Sequence, residues 1–220
     1  MKKFIISIFA AICFAATSNA EVLIGVSGAI TGVDTTGTET LKSSSNQTST
    51  SEQATTGVPS IFIEFVNDAG VGIGLDYIPA DFEIGARSVT KTDTDVDDSS
   101  DTSGTNKASA EISNHLTAYV SVPVADTGAY VKLGYVQVTI NTTESLATGT
   151  SYGNADINGW TGGLGFGKKF DNNAVVRIEG TYTDYDEINI TGSADADSVS
   201  NTIRAEPEAY ALRLSLAYAF

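Results

Sequence analysis

Residues Ala209–Phe220 read A-Y-A-L-R-L-S-L-A-Y-A-F, and their alternation decides the fold. Tyr210, Leu212, Leu214, Leu216, Tyr218 and Phe220 share one parity; Ala209, Ala211, Arg213, Ser215, Ala217 and Ala219 share the other. A period of two belongs to a β-strand, whose successive side chains point to opposite faces. The bulky face carries a tyrosine near each end. The other face is small and polar and includes an arginine. In a soluble sandwich or lipocalin-like barrel the bulky face would have to meet a core. In a transmembrane barrel it meets hydrocarbon, and the small face lines the interior.

Seven earlier stretches repeat the pattern: about 22–30, 58–66, 71–77, 112–122, 131–136, 160–170 and 176–183. The connections between the eight strands alternate in length. Polar stretches at 31–57, from Pro79 to about Ala110, at 141–156 and at 186–207 read as long loops. Asn67–Gly70, Pro123–Gly128 and Asp171–Asn173 read as tight turns, because Asn, Asp and Gly accept turn backbone angles. Parity blurs after Val136, which predicts a bulge there. An antiparallel up-and-down barrel with both termini at one end produces this alternation. A Greek-key sandwich gives no reason for every second connection to be long.

Strand length agrees. Tyr210 to Phe220 and Trp160 to Phe170 each advance ten residues. At ~3.3 Å per residue and a tilt near 40° this rises roughly 25 Å, the height of a lipid-facing band. Tyr77, Trp160, Phe170, Tyr182 and Tyr210 fall at strand ends, where interfacial aromatic girdles sit. The fold class is therefore all-β: an eight-stranded antiparallel up-and-down transmembrane β-barrel.

Residues 1–20 are expected to be a signal peptide: Lys2 and Lys3, an apolar run from Phe4 to Phe14, and Ser18-Asn19-Ala20 as a cleavage site. Ile12 before Cys13 is not the small residue of a lipid-anchor signal. Residues 21–220 then form the barrel domain. They contain no cysteine, and 10 basic against 27 acidic residues give a net charge of −17. That balance argues against nucleic acid as a partner.

The signal segment, the eight-strand meander, the long loops and the terminal aromatic Phe220 together resemble the small outer-membrane barrels of the outer membrane protein A and X type, including opacity-type surface proteins. The resemblance rests on architecture, not on a residue-specific signature. It implies a monomer in the bacterial outer membrane, in contact with lipid and lipopolysaccharide, with loops outside and termini in the periplasm. It also implies that Tyr218 and Phe220 belong to the signal read by the barrel-insertion machinery. Nothing after Phe220 matches the cell-wall-binding domain of outer membrane protein A, so no such role is expected.

Parity places six charges inside: Glu64, Asp76, Lys132, Arg177, Glu179 and Arg213. A barrel of this size is filled by side chains, and buried charges must pair. The expectation is a salt-bridge network, with Glu179 and Asp76 around Arg213 and Lys132. Glycines 72, 74, 134, 163, 165 and 167 leave it room. A gated, ion-conducting plug is the alternative.

Other chemistry is weakly supported. Asp93-x-Asp95-x-Asp97 begins like a calcium loop, but Asp98 and Gly104 stand where the pattern needs Gly and Glu. The acidic stretch 92–101 reads as a solvated loop. His115, the only histidine, follows Ser113 and Asn114. It is expected to face inward, away from any lipid substrate. The glycines of 162–167 follow strand parity, not a phosphate loop. No catalytic residue, metal or cofactor is assigned. The expected function is structural or surface interaction through acidic loops. The alternatives are a narrow porin-like channel for small solutes or ions and, with less support, a lipid-modifying enzyme.

Overall fold

The computed structural model describes residues 20–40, 47–93, 102–145, 151–193 and 201–220. The expected signal segment, all but its last residue, lies outside these, as do Asp95, Asp97, Asp98 and Asp101 of the acidic stretch. Ten strands follow one another: β1 Glu21–Thr40, β2 Gln47–Val66, β3 Gly72–Ile78, β4 Phe82–Asp93, β5 Thr102–Pro123, β6 Ala129–Ser145, β7 Ala155–Lys169, β8 Ala174–Tyr185, β9 Ile188–Thr191 and β10 Thr202–Ala219. All pairings are antiparallel, and β10 pairs back onto β1 to close the sheet. The barrel has eight staves. β3 and β4 both pair with β5 and share one stave; β8 and β9 both pair with β10 and share another.

The strands far exceed a bilayer. Twenty residues of β1 at ~3.3 Å each, tilted by about 40°, rise roughly 50 Å. Of the polar stretches read as loops, 31–57 and 79–110 are largely strand, and strands extend into 141–156 and 186–207. The reason lies in a polarity inversion halfway up the wall. Near the short turns the outer face is apolar, with Leu164 69% and Leu214 61% exposed, while the inner face is mostly polar around a small apolar cluster of Leu23, Phe62, Val175, Ala217 and Ala219. Towards the long connections the outer face is Ser, Thr and acidic. The inner face there becomes an apolar core of Val33, Ile112, Val136, Val138, Ile140, Ile157, Tyr185, Ile188, Ala205 and Ala209. A β-strand whose outer face is wet needs only one apolar residue in several to hold its inner face. Such sparse residues show no period within Thr-rich sequence.

The inversion also explains the blurred parity of β6. Its inward residues simply change from Lys132 and Gly134 to Val136, Val138 and Ile140. β6 pairs with β7 without a break. The bulge lies instead across the ladder, on β5 between Ser113 and Leu116, where Asn114 takes a left-handed φ of 51°. Asparagine tolerates that conformation better than most side chains.

Two more breaks sit near this height. Asp186 and Glu187 separate β8 from β9. Pro79–Asp81 separate β3 from β4, and the ladder between β2 and β3 stops at Ile61 opposite Tyr77. Extending that register by two residues would set Pro59 opposite Pro79. Neither proline has an N–H to donate, so the ladder cannot continue. Beyond this point, among the described residues, β2 is paired only to β1, and β4 only to β5. The result is an unzipped seam in the upper wall between β2 and β4.

The short connections are tight turns. Asn67 Oδ1 accepts from the backbone N–H groups of Ala69 and Val71, each at 3.0 Å, and Gly70 takes φ 77°. Asn173, at φ 64°, donates its N–H to the carbonyl of Phe170 at 3.0 Å. Ala125–Thr127 form a single 3-10 turn.

Candidate functional site

The lumen of the membrane-height half brings together all six charges placed inside by parity. Glu64 on β2 is 1% exposed and takes four donors. Ser121 Oγ donates at 2.7 Å and Tyr119 Oη at 2.9 Å. Both terminal nitrogens of Arg177 on β8 donate as well, Nη2 to Oε1 at 3.3 Å. A fully buried carboxylate is tolerable only with such saturation.

The other two pairs lie deeper. Arg213 Nη1 on β10 donates to Asp76 Oδ2 on β3, to Ser60 Oγ at 3.0 Å and to Ser27 Oγ at 3.3 Å. Ser60 in turn donates to Asp76 Oδ2 at 3.0 Å. Lys132 Nζ on β6 stands 3.3 and 3.4 Å from the two oxygens of Glu179 on β8. Tyr130 Oη donates to Glu179 Oε1 at 2.7 Å. Aromatic faces join the pairs: Lys132 Nζ is 4.0 Å from the ring centre of Tyr119, and Arg177 lies 5.3 Å over Tyr130. Three acids and three bases cancel, so the filled lumen carries no net charge. Glycine makes it fit. A Cβ on Gly72 would strike the Glu64 carboxylate; on Gly74 it would meet the Tyr119 ring, and on Gly165 the Tyr130 ring.

Sequence reasoning passed over Tyr119, Tyr130, Ser27, Ser60 and Ser121 as members of this network. Inward parity was the available signal; a search for opposite charges does not see neutral donors.

His115 follows the β5 bulge, faces inward and is 8% exposed. Its Nε2 lies 3.3 Å from Tyr185 Oη. Ser113 does not approach the imidazole: its Oγ donates to the Thr139 carbonyl at 3.4 Å and accepts from Asn141 Nδ2 at 2.8 Å. Between the ionic network and the apolar upper core lies a chamber of about 50 Å³. Thr31, Thr117, Thr161, Thr181 and Thr183 line it, with Asp76, His115, Lys132 and Arg213 on its polar side and Val58, Ile78 and Phe82 beside the seam. At the top, Tyr152 Oη donates to Glu39 Oε1 at 3.0 Å across the mouth. Among the described residues no three metal-ligating side chains converge.

The outer face carries the aromatic residues in two groups. Tyr77, Trp160, Tyr182 and Tyr210 are exposed near the inversion height, with Tyr182 and Tyr210 ring centres 5.0 Å apart. Phe170, Tyr218 and Phe220 are exposed near the short turns, and the last two rings pack edge-on at 4.9 Å. Between them runs a continuous exposed belt of Leu, Ile, Val and Phe, far larger than a water-soluble monomer leaves uncovered.

A closed eight-stave barrel with an apolar belt and a charge-filled lumen defines a small transmembrane barrel of the outer-membrane type. The chain is similar in structure to the outer membrane protein OprG of Pseudomonas aeruginosa: TM-score 0.58 at 10% identity, over 94% of this chain and 98% of that one. It is similar to the outer membrane protein AlkL: TM-score 0.55 at 10% identity, over 93% and 94%. The outer membrane protease OmpT of Escherichia coli gives 0.50 at 10% identity, over 94% and 100%. These likenesses show the fold. No family model and no curated protein matches the sequence.

Proposed function

We propose that the protein is a monomeric, non-enzymatic barrel of the bacterial outer membrane, of the outer membrane protein A and X kind, with a structural and surface-interaction role. The short turns and termini face the periplasm. The tall polar-walled half stands outside and presents its acidic face beyond the lipopolysaccharide headgroups. Tyr218 and Phe220 serve recognition by the insertion machinery. The observation that carries this reading is the filled lumen: six paired charges and their hydroxyl partners occupy the section at membrane height. Such a lumen supports the barrel and offers no axial path.

The test is conductance of the refolded protein in planar bilayers. Steady, porin-sized openings would remove the proposal; an insulating bilayer is expected. Orientation is checked separately. Glu52→Cys should react with an impermeant maleimide on intact cells and Asp68→Cys should not; the reverse pattern would invert the assignment.

A second reading has one specific observation in its favour. The β2–β4 seam flanks the chamber, with Val58, Ile78 and Phe82 between them. A small apolar molecule entering there would pass sideways between the lumen and the bilayer without crossing the ionic floor. If so, uptake of such a molecule into vesicles holding the barrel falls when the seam is zipped shut.

A further inference from the structure

We infer that the chamber at the inversion height is a binding site for a small, neutral molecule bearing one hydroxyl or amide group. Three side-chain atoms around it are buried without a partner: Asp76 Oδ1, His115 Nδ1 and Arg213 Nε. Arg213 Nε lies 4.0 Å from Glu179 Oε2, beyond hydrogen-bond reach. Leaving buried polar atoms unpaired is costly, so the geometry calls for an occupant that both donates and accepts. Asp76 Oδ1 needs a donor and Arg213 Nε needs an acceptor. The imidazole, fixed through Nε2 to Tyr185, offers its second nitrogen in either role.

Size and charge narrow the class. At ~10–15 Å³ for each water-sized centre, the chamber of about 50 Å³ has room for about three to five non-hydrogen atoms. The six lumen charges already cancel, so a charged guest would stand uncompensated next to them. The wall matches a molecule with one polar end. Asp76, His115 and Arg213 bring polar atoms to the lining, and Val33, Val58, Ile78, Phe82 and Ala209 bring apolar surface. Short alcohols and primary amides fit; carboxylates and amines of the same size do not. The site does not depend on sideways passage through the seam, because it is defined by its lining alone.

The test uses the full mature barrel refolded in detergent micelles. His115 is the only histidine, so ¹⁵N-histidine labelling gives a single reporter at the chamber. 1-Propanol and acetamide are titrated in parallel with propionate and propylamine. The expected result is a saturable shift of the His115 Nδ1 resonance with the two neutral probes and none with the charged ones. Ala211→Leu fills the chamber from its lining and should weaken the neutral probes at least tenfold while the barrel still folds. The inference is overturned if the shift is linear in neutral probe, if charged probes saturate equally, or if no probe moves the resonance and only water occupies the space. The comparison of neutral with charged probes stands on the unaltered protein, so a failure of Ala211→Leu to fold does not blunt it.

Discussion

At the scale of single residues, the lumen depends on completeness. Glu64 is satisfied by two hydroxyls and a guanidinium, and each of those has lost its water. Glu64→Ala should therefore cost about 3–5 kcal/mol, because it leaves Arg177 charged and alone in a closed space. Exchanging both partners together, Glu64→Met with Arg177→Met, should cost much less and approach neutrality. Urea unfolding of both variants in lipid vesicles measures the difference; equal losses would mean that the pair itself stabilises the barrel. Parity put these charges on one face, since Arg177 and Glu179 alternate cleanly with Val176 and Ile178. It could not reveal that Glu64 goes to Arg177, because the pairing spans the lumen between β2 and β8. Nor could it reveal the orphaned Nδ1 of His115, which follows from a backbone bulge one residue earlier.

At the scale of elements, the telling feature is where strands stop. A single proline in a run reads as a strand end, and Pro79 was legible as one. That Pro59 would stand opposite it is visible only once the register is known. Pro59→Val with Pro79→Val restores two donors and should let the β2 and β4 edges pair. Amide hydrogen exchange is the measure: protection should appear along 56–60 and 78–82, regions beside the present seam. Unchanged exchange would show that something other than missing donors holds the edges apart. The strand ends beyond the membrane were the least legible part of the sequence. Residues 31–40 contain a single large aliphatic side chain, Val33, whose companions in the upper core come from β5, β6, β7, β8, β9 and β10. No local window carries that information.

At the scale of the whole molecule, the same wall obeys two opposite rules. Below the inversion the outside must be apolar; above it the outside must be wet. A cation placed outside should report which rule applies. Leu214→Arg, deep in the apolar belt, should cost about 2–4 kcal/mol, and Glu206→Arg, on the wet half, about 0–1 kcal/mol. Equilibrium unfolding in vesicles gives both values. Similar costs at the two sites would mean that the bilayer does not end at the girdle of Tyr77, Trp160, Tyr182 and Tyr210. The alternation of Ala209–Phe220 and the long-short rhythm of connections sufficed for the barrel, because both reflect the membrane directly. The upper half answers to water, and its polar sequence looks like any solvated segment until the core beneath it is seen.

Closure joins β1 to β10 from Leu23 opposite Ala219 to Thr40 opposite Thr202. A long uninterrupted ladder thus unites the first and last strands of the sheet. Such a clasp is a contact of high sequence separation and cannot form until both strands are available. Until that pairing forms the sheet has two raw margins, and such edges invite pairing with other chains. Losing even half of β10 would leave those margins open, so a complete wall depends on the far end of the sheet meeting its beginning.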